Sequence, residues 1–240
     1  MSGHSKWSKV KHQKKTTDSI KAQAFTKASR AITIAVREGG GVTDPIHNFK
    51  LRLAIEKAHE ANVPKENITR AIEKGTGQGV NDLAYVMYEA YGPGGVACLI
   101  ETTTDNKQRT VSLIKNILEQ NGGSITSPGA VSYLFNRCCV CTVPKGTYTL
   151  DEMLEKALEI AVDDVVETED MFELYTSAHN ASLLKDMLTQ KGIVIDNIEL
   201  IMNPKVSIAL TQKDAERIEQ LVEQLEESED VQKVYTNLQS

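Results

Sequence analysis

The sequence predicts a multi-domain α and α+β protein: an N-terminal three-helix domain followed by two α/β ferredoxin-like units, the second inserted in the first. Three observations predict this. Apolar residues recur at helical spacing up to Gly75 and then switch to strand-like runs. Residues 137–203 hold a complete βαββαβ pattern of their own. The charge is also lopsided: residues 1–79 have fifteen Lys and Arg against seven Asp and Glu, or +8, and the rest has twelve against twenty-six, or −14. The whole chain of 240 residues is 40% apolar and 25% charged, which fits an ordinary soluble globular protein. Four cysteines do not make a secreted disulfide framework. No stretch reaches the ~18–20 apolar residues of a membrane span. The basic start lacks the apolar segment of a secretory signal, so the expected location is cytoplasmic, with no membrane partner.

The elements follow in order. Residues 1–17 show no hydrophobic periodicity and contain five lysines, and read as a basic arm. A helix is expected over 18–38, with Asp18 as N-cap and Phe25, Ala28, Ile32, Ala35 and Val36 on one apolar arc. Lys27, Arg30 and Arg37 fall on the opposite side, and Gly39-Gly40-Gly41 ends the helix. Asp44-Pro45 offers an N-cap followed by proline at the first helical position. The helix it opens is apolar on two sides: Ile46, Phe49 and Leu53, and Leu51, Ala54, Ile55 and Ala58. Pro64 starts a third helix with Ile68, Ala71 and Ile72, closed by Gly75. Residues 75–79 read as a linker, because their alternating glycines follow a helix and lack the Lys-Ser/Thr of a phosphate loop.

Strands are expected at 83–91 and 96–103 around the turn Gly92-Pro93-Gly94-Gly95, then a helix at 107–120 and a short strand at 131–135. The inserted pattern reads as a strand at 138–143, a helix at 151–162, strands at 165–167 and 172–176, a helix at 181–190 and a strand at 193–201. Its first helix places Leu154, Ala157, Leu158 and Ala161 inward. The tail adds a strand at 206–210, an amphipathic helix (Ala215, Ile218, Leu221, Val222, Leu225) and a strand at 231–235. It completes the sheet begun at residue 80. The expected domains are therefore 1–79, 80–136 with 204–240, and 137–203.

Lys and Arg bind polyanions by neutralising phosphates and releasing counterions. The candidate phosphate contacts are Lys6, Lys9, Lys11, Lys14 and Lys15 of the arm and Lys27, Arg30 and Arg37 of the first helix. Trp7 and His12 lie among these lysines, where a ring can stack on an unpaired base. The competing reading is an arm whose lysines only promote solubility. Lys107 and Arg109 sit in the first turns of a helix capped by Thr104-Asp105-Asn106, where cations oppose the helix dipole, so they join the candidates for an anionic contact. Cys138, Cys139 and Cys141 lack the C-x₂₋₄-C spacing of zinc sites. On a strand, Cys139 and Cys141 face one way and Cys138 the other, so with Cys98 they read as buried thiols without a metal. Asp163-Asp164 and Glu167-x-Glu169-Asp170 have no His or nucleophile at a readable spacing and read as solvated loops. No nucleophile, base and orienting group assemble. The residues point to a non-enzymatic nucleic-acid-binding protein without a cofactor.

Several strings then resemble the YebC/PmpR family. They are Gly3-His-Ser-Lys-Trp7, Lys11-His12, Asp44-Pro45 with Leu51-Arg52-x-Ala54-Ile55, and Asn62-x-Pro64-Lys65 with Ile68-x-Arg70-Ala71-Ile72. Further along are Tyr88-Glu-x-Tyr91-Gly-Pro-Gly-Gly-Val96, Thr104-Asp-Asn106 with Arg109-Thr110, and Glu229-Asp-Val-Gln-x-Val-Tyr235. The resemblance covers essentially the whole chain. It implies a three-domain fold with a helical N-terminal domain, and a cytoplasmic regulator. Members are described as DNA-binding transcriptional regulators, and a mitochondrial relative activates translation of a cytochrome oxidase subunit. Bacterial relatives are tied to ribosomes stalled on proline runs. The implied partner is DNA, with ribosomal RNA on the ribosome as the alternative. The start at the Gly3–Trp7 string implies a bacterial rather than a mitochondrial member. Two features depart from the family pattern. Ile160-Ala-Val-Asp163 replaces a glycine expected after Glu159, and the cysteine-rich segment replaces a charged, glycine-containing one.

Overall fold

The computed structural model describes residues 18–77, 83–146, 148–160 and 162–239. By their contacts these fall into two compact units, one of residues 18–133 with 210–236 and one of residues 134–209 with 237–239. Among the described residues there are seven α-helices and two four-stranded sheets.

The first unit begins with a helical bundle: α1 (Asp18–Glu38), α2 (Phe49–Glu60) and α3 (Lys65–Thr76). Ile32, Ala35 and Val36 of α1 bury against Leu51 and Ala58 of α2 and Ile68 and Ala71 of α3, with Phe25 and Ala28 packed on the rim. The periodicity located α1 correctly. It misplaced the start of α2, whose N-cap is Asn48 and not Asp44. Asn48 is buried and accepts from the Leu51 N–H at 3.0 Å, while its Nδ2 donates to the Ala35 carbonyl at 2.9 Å and the Val42 carbonyl at 3.0 Å. A side chain that caps one helix and ties the end of another outcompetes Asp44, which holds only a turn, with Ile46 beyond it 75% exposed.

Gly75 does not close α3, which runs on to Thr76. It is buried where α3 crosses α1, and a Cβ there would lie 2.6 Å from the Val36 Cβ and 3.0 Å from the Thr33 carbonyl. Gly75→Ala should therefore lower stability by about 1–2 kcal/mol in chemical denaturation, because overpacking outweighs the gain in helix propensity.

The first sheet has the order β3-β1-β2-β8, with β1 Ala84–Tyr91, β2 Ala97–Thr104, β3 Ser124–Ile125 and β8 Val231–Thr236. Helices α4 (Lys107–Gln120) and α7 (Gln212–Glu226) bring Ile114, Leu118, Ile218, Leu221 and Leu225 into the core. The β1–β2 hairpin turns where expected, with Gly94 and Gly95 at φ of 68° and 78°, a region that favours glycine. The strand expected at 131–135 is absent. Those residues form a turn and the start of β4, and β3 takes the edge position beside β1.

The second unit has the sheet β5-β6-β4-β7, with β4 Phe135–Pro144, β5 Asp164–Glu167, β6 Met171–Ser177 and β7 Asn197–Pro204. With α5 (Leu150–Leu158) and α6 (Ala181–Gln190) between its strands, it has the ferredoxin-like βαββαβ order. Cys139 and Cys141 are fully buried and Cys138 half-buried, the alternation expected of a strand. Burial pushes the Cys98, Cys139 and Cys141 thiols up to about 12 and Cys138 to about 11.

Two expectations fail in this unit. Helix α5 buries Met153 and Ala157, with Ile160 beyond its end, whereas Leu154 is 41% and Leu158 89% exposed; Ala161 lies outside the described residues. The capping box of Thr149 and Glu152 fixes where α5 starts, and the buried face follows Met153 instead of Leu154. The segment at 206–210 is no strand. It forms only a bridge between Ile208 and Leu238, with Val206 exposed.

Candidate nucleic-acid interface

Helix α1 has two occupied faces. Opposite its bundle face, Gln23, Lys27, Arg30, Ile34 and Arg37 form a stripe at three- and four-residue spacing. Gln23, Lys27 and Arg30 of the stripe meet the end of α7, which runs into Glu226-Glu227-Ser228-Glu229-Asp230 without a basic residue in its last turn. Carboxylates at the negative end of a helix dipole are unfavourable, and cations there are favourable. Helix α1 supplies what α7 lacks. The Lys27 ammonium donates to the Glu226 carbonyl and the Gln23 amide to the Glu227 carbonyl. Arg30 donates to the Glu229 carbonyl at 2.8 Å and to the Thr103 carbonyl at 3.3 Å. Arg37 donates to the Leu83 carbonyl at 2.8 Å.

Asp230 is the centre of this contact and is 4% exposed. Its Oδ1 lies 2.6 Å from an Arg30 nitrogen, and its two oxygens lie 3.1 and 2.9 Å from Arg109. The Thr110 hydroxyl donates to it at 2.7 Å and the Thr104 hydroxyl approaches at 3.4 Å. Burial alone would raise the Asp230 pKa, but Thr110, Arg109 and Arg30 outweigh it and hold the carboxyl below its ordinary value. Arg109 also pairs with Asp105 at 2.7 Å, and Asn106 caps α4 by accepting from the Arg109 N–H at 3.0 Å. Two carboxylates therefore balance two guanidiniums.

The structure thus engages three of the expected phosphate ligands, Lys27, Arg30 and Arg37, within the chain instead of turning them outward. It brings Arg30 and Arg109 together on one carboxylate. Lys107 is exposed on the first turn of α4, where its carbonyl faces the Tyr88 hydroxyl at 3.3 Å. Lys6, Trp7, Lys9, Lys11, His12, Lys14 and Lys15 lie outside the described residues. Sequence reasoning missed Gln23 and Asp230. The available signal was an acidic run closing a helix that has no C-terminal cation of its own. Among the described residues, no three His, Cys, Asp or Glu side chains gather to hold a metal ion, and no helix is long and apolar enough to cross a membrane.

Residues 5–78 match the TACO1/YebC protein N-terminal domain, and residues 83–238 match the TACO1/YebC second and third domain. The chain belongs to the TACO1/YebC family. It is 42% identical over 243 residues to a probable transcriptional regulatory protein of Persephonella marina, covering 100% of this chain and 96% of that protein. It is 45% identical to one of Chloroflexus aggregans, covering 99% and 95%. The crystal structure of a conserved hypothetical protein from Aquifex aeolicus superposes with a TM-score of 0.85 at 36% identity, covering 98% of this chain and 96% of that one.

In this YebC-family chain, strings far apart in sequence meet in space. Thr104, Arg109 and Thr110 from one string hold Asp230 from another, with Asp105 and Asn106 fixing Arg109. Glu89, in the string Tyr88–Val96, has a comparable role. It is buried, and accepts from the backbone N–H groups of Gly129 at 2.7 Å, Val131 at 2.7 Å and Ser132 at 2.9 Å. Those amides are bound to a carboxylate, so Val131 and Ser132 have no N–H left for a sheet ladder, and the strand starts only at Phe135. Burial opposes ionisation of Glu89, but the three amides prevail and keep its pKa below the ordinary glutamate value. A depressed carboxyl pKa contributes stability that is present above the unfolded value and lost as pH falls through the folded one. The thermal midpoint should therefore fall on acidification below about pH 4, the range of an unperturbed glutamate. Glu89→Gln should lower the midpoint at neutral pH and make that acid limb shallower.

Proposed function

We propose that this chain is a non-enzymatic, nucleic-acid-binding regulator of gene expression, acting in the cytoplasm, whose N-terminal arm meets the phosphates of DNA. One observation carries the reading. The first seventeen residues hold five lysines and no acid, whereas Lys27, Arg30 and Arg37 of α1 are engaged within the chain. Lys6, Lys9, Lys11, Lys14 and Lys15 are the phosphate contacts, Trp7 and His12 the rings that stack on accessible bases, and Lys107 a second cationic contact on the folded body. The names of the relatives, probable transcriptional regulatory proteins, support a regulator that acts on DNA.

The test is binding of the full chain to a mixed-sequence duplex and to a single-stranded RNA of equal length, across a salt series. Five phosphate contacts give a slope of log K against log salt of about −4.5 on duplex DNA and about −3.5 on a single strand. A slope near zero on both would sink the reading. Tighter binding to the RNA, with the protein co-sedimenting with ribosomes in a nuclease-sensitive way, would move the partner from DNA to ribosomal RNA.

A further inference from the structure

We propose that helix α5 of the second unit is a docking site for a basic amphipathic helix of a protein partner. Leu150, Leu154 and Leu158 stand at four-residue spacing along one side of α5 and emerge progressively from the unit. Leu150 is half-buried, Leu154 is exposed and Leu158 is 89% exposed. The face of α5 that serves the core is a different one, made by Met153 and Ala157. An apolar stripe left in water contributes little to the fold and marks a surface built to be covered. A row at four-residue spacing is the ridge that seats in the groove of a second helix. This row is ~12 Å long at 1.5 Å per residue.

Charge says what covers it. Asp151 lies one turn before Leu154 and Glu155 one turn before Leu158, and both acids are exposed, so each leucine has a carboxylate beside it. The other charged groups of this helix are engaged. Glu152 holds the Thr149 cap, Glu159 pairs with Lys191, and the Lys156 ammonium lies 5.5 Å from the centre of the Tyr148 ring. Together with Glu155, the residues Tyr148, Glu152, Lys156, Glu159 and Lys191 line a shallow hollow on the acidic side of α5. Residues 134–209 hold six Lys and Arg against thirteen Asp and Glu, or −7. That field repels phosphate and attracts lysine and arginine, which disfavours a nucleic acid on this face. A second copy of α5 would set Asp151 and Glu155 against like charges. A helix with apolar residues one turn apart and lysine or arginine at their flanks satisfies the leucines and the carboxylates together.

The test uses the full chain and a labelled synthetic peptide of leucine, lysine and alanine, about twenty residues long so that it holds a helix. Its leucines stand at four-residue spacing with lysines flanking them. A peptide of the same composition in scrambled order is the control for charge alone. The ordered peptide should bind at least about tenfold more tightly than the scrambled one, with amide chemical-shift changes centred on α5. Leu158→Ala should weaken binding about tenfold while the thermal midpoint holds, because that side chain is already in water. Asp151→Asn with Glu155→Gln should weaken binding at low salt and reduce its salt dependence. Leu113→Ala, which changes an exposed leucine on α4 of the first unit, should leave Kd unmoved. Equal binding of the two peptides, or a Kd unchanged by Leu158→Ala, would overturn the proposal. A parent chain that dimerises in sedimentation and becomes monomeric on Leu158→Lys would give the face to a second copy and overturn it as well.

Discussion

Arg30→Met should lower stability by about 3 kcal/mol, the lower end of the range for breaking a buried ion pair by removing one partner. The estimate sits at the lower end because Asp230 keeps Arg109 and Thr110 when Arg30 is lost. The change also leaves the Glu229 carbonyl without its Arg30 donor. For a chain of this size, the thermal midpoint should fall by roughly 6–12 °C. Asp230→Ala should cost about 3–5 kcal/mol, since it leaves two guanidiniums facing each other around an emptied position. Arg109→Ala should cost less than about 1 kcal/mol, because its side chain is 52% exposed and water replaces much of what it loses. That ranking follows from burial rather than from distance, as all three groups lie within 3 Å of a partner. Acid should act in the same direction. The depressed Asp230 pKa makes its contribution complete above the ordinary aspartate range and lost as pH falls below it.

Neutralising Lys9, Lys11, Lys14 and Lys15 together as glutamines should flatten the salt slope on duplex DNA by about 3 to 4 units. If counterion release vanishes near 1 M salt, this is roughly a thousandfold loss of affinity at about 0.15 M. The thermal midpoint should barely move, because the arm sequence has no apolar periodicity with which to join a core. Stability and affinity are thereby assigned to different cations in the same basic third of the chain. A variant set that lowers both in proportion would argue against that division.

Much of the fold was legible in the sequence for a simple reason. Helices α1, α4 and α7 have a continuous apolar stripe, and the β1–β2 hairpin has turn residues that few other structures accept. What was not legible depended on groups far away in the chain. Asn48 outcompetes Asp44 as a cap only because the Ala35 carbonyl is there to receive its amide. The turn at 129–132 takes its shape from Glu89 some forty residues earlier. Leu154 and Leu158 looked inward because periodicity marks a stripe without saying which of two adjacent stripes meets the sheet.

The role of Lys27, Arg30 and Arg37 is the part of the candidate site that a sequence reading leaves open. A helical wheel shows that these residues share a face opposite the core, but water, phosphate and a distant helix end all suit such a face. The acidic end of α7, which receives Lys27 and Arg30, lies about two hundred residues further along, and the Leu83 carbonyl that receives Arg37 lies 46 residues along. The opposite charges of the two parts of the chain are therefore satisfied in part within the molecule, and the arm is left as the concentrated positive charge.

The most direct test of this division is the salt dependence of duplex binding by the double variant Lys27→Gln, Arg37→Gln, read beside its thermal midpoint. Both side chains donate to carbonyls inside the chain, so the slope should stay within about 0.5 of the parent value while the midpoint falls. A slope flattened by about 1.8 units with the midpoint unchanged would show that these two cations meet phosphates, and would contradict the account.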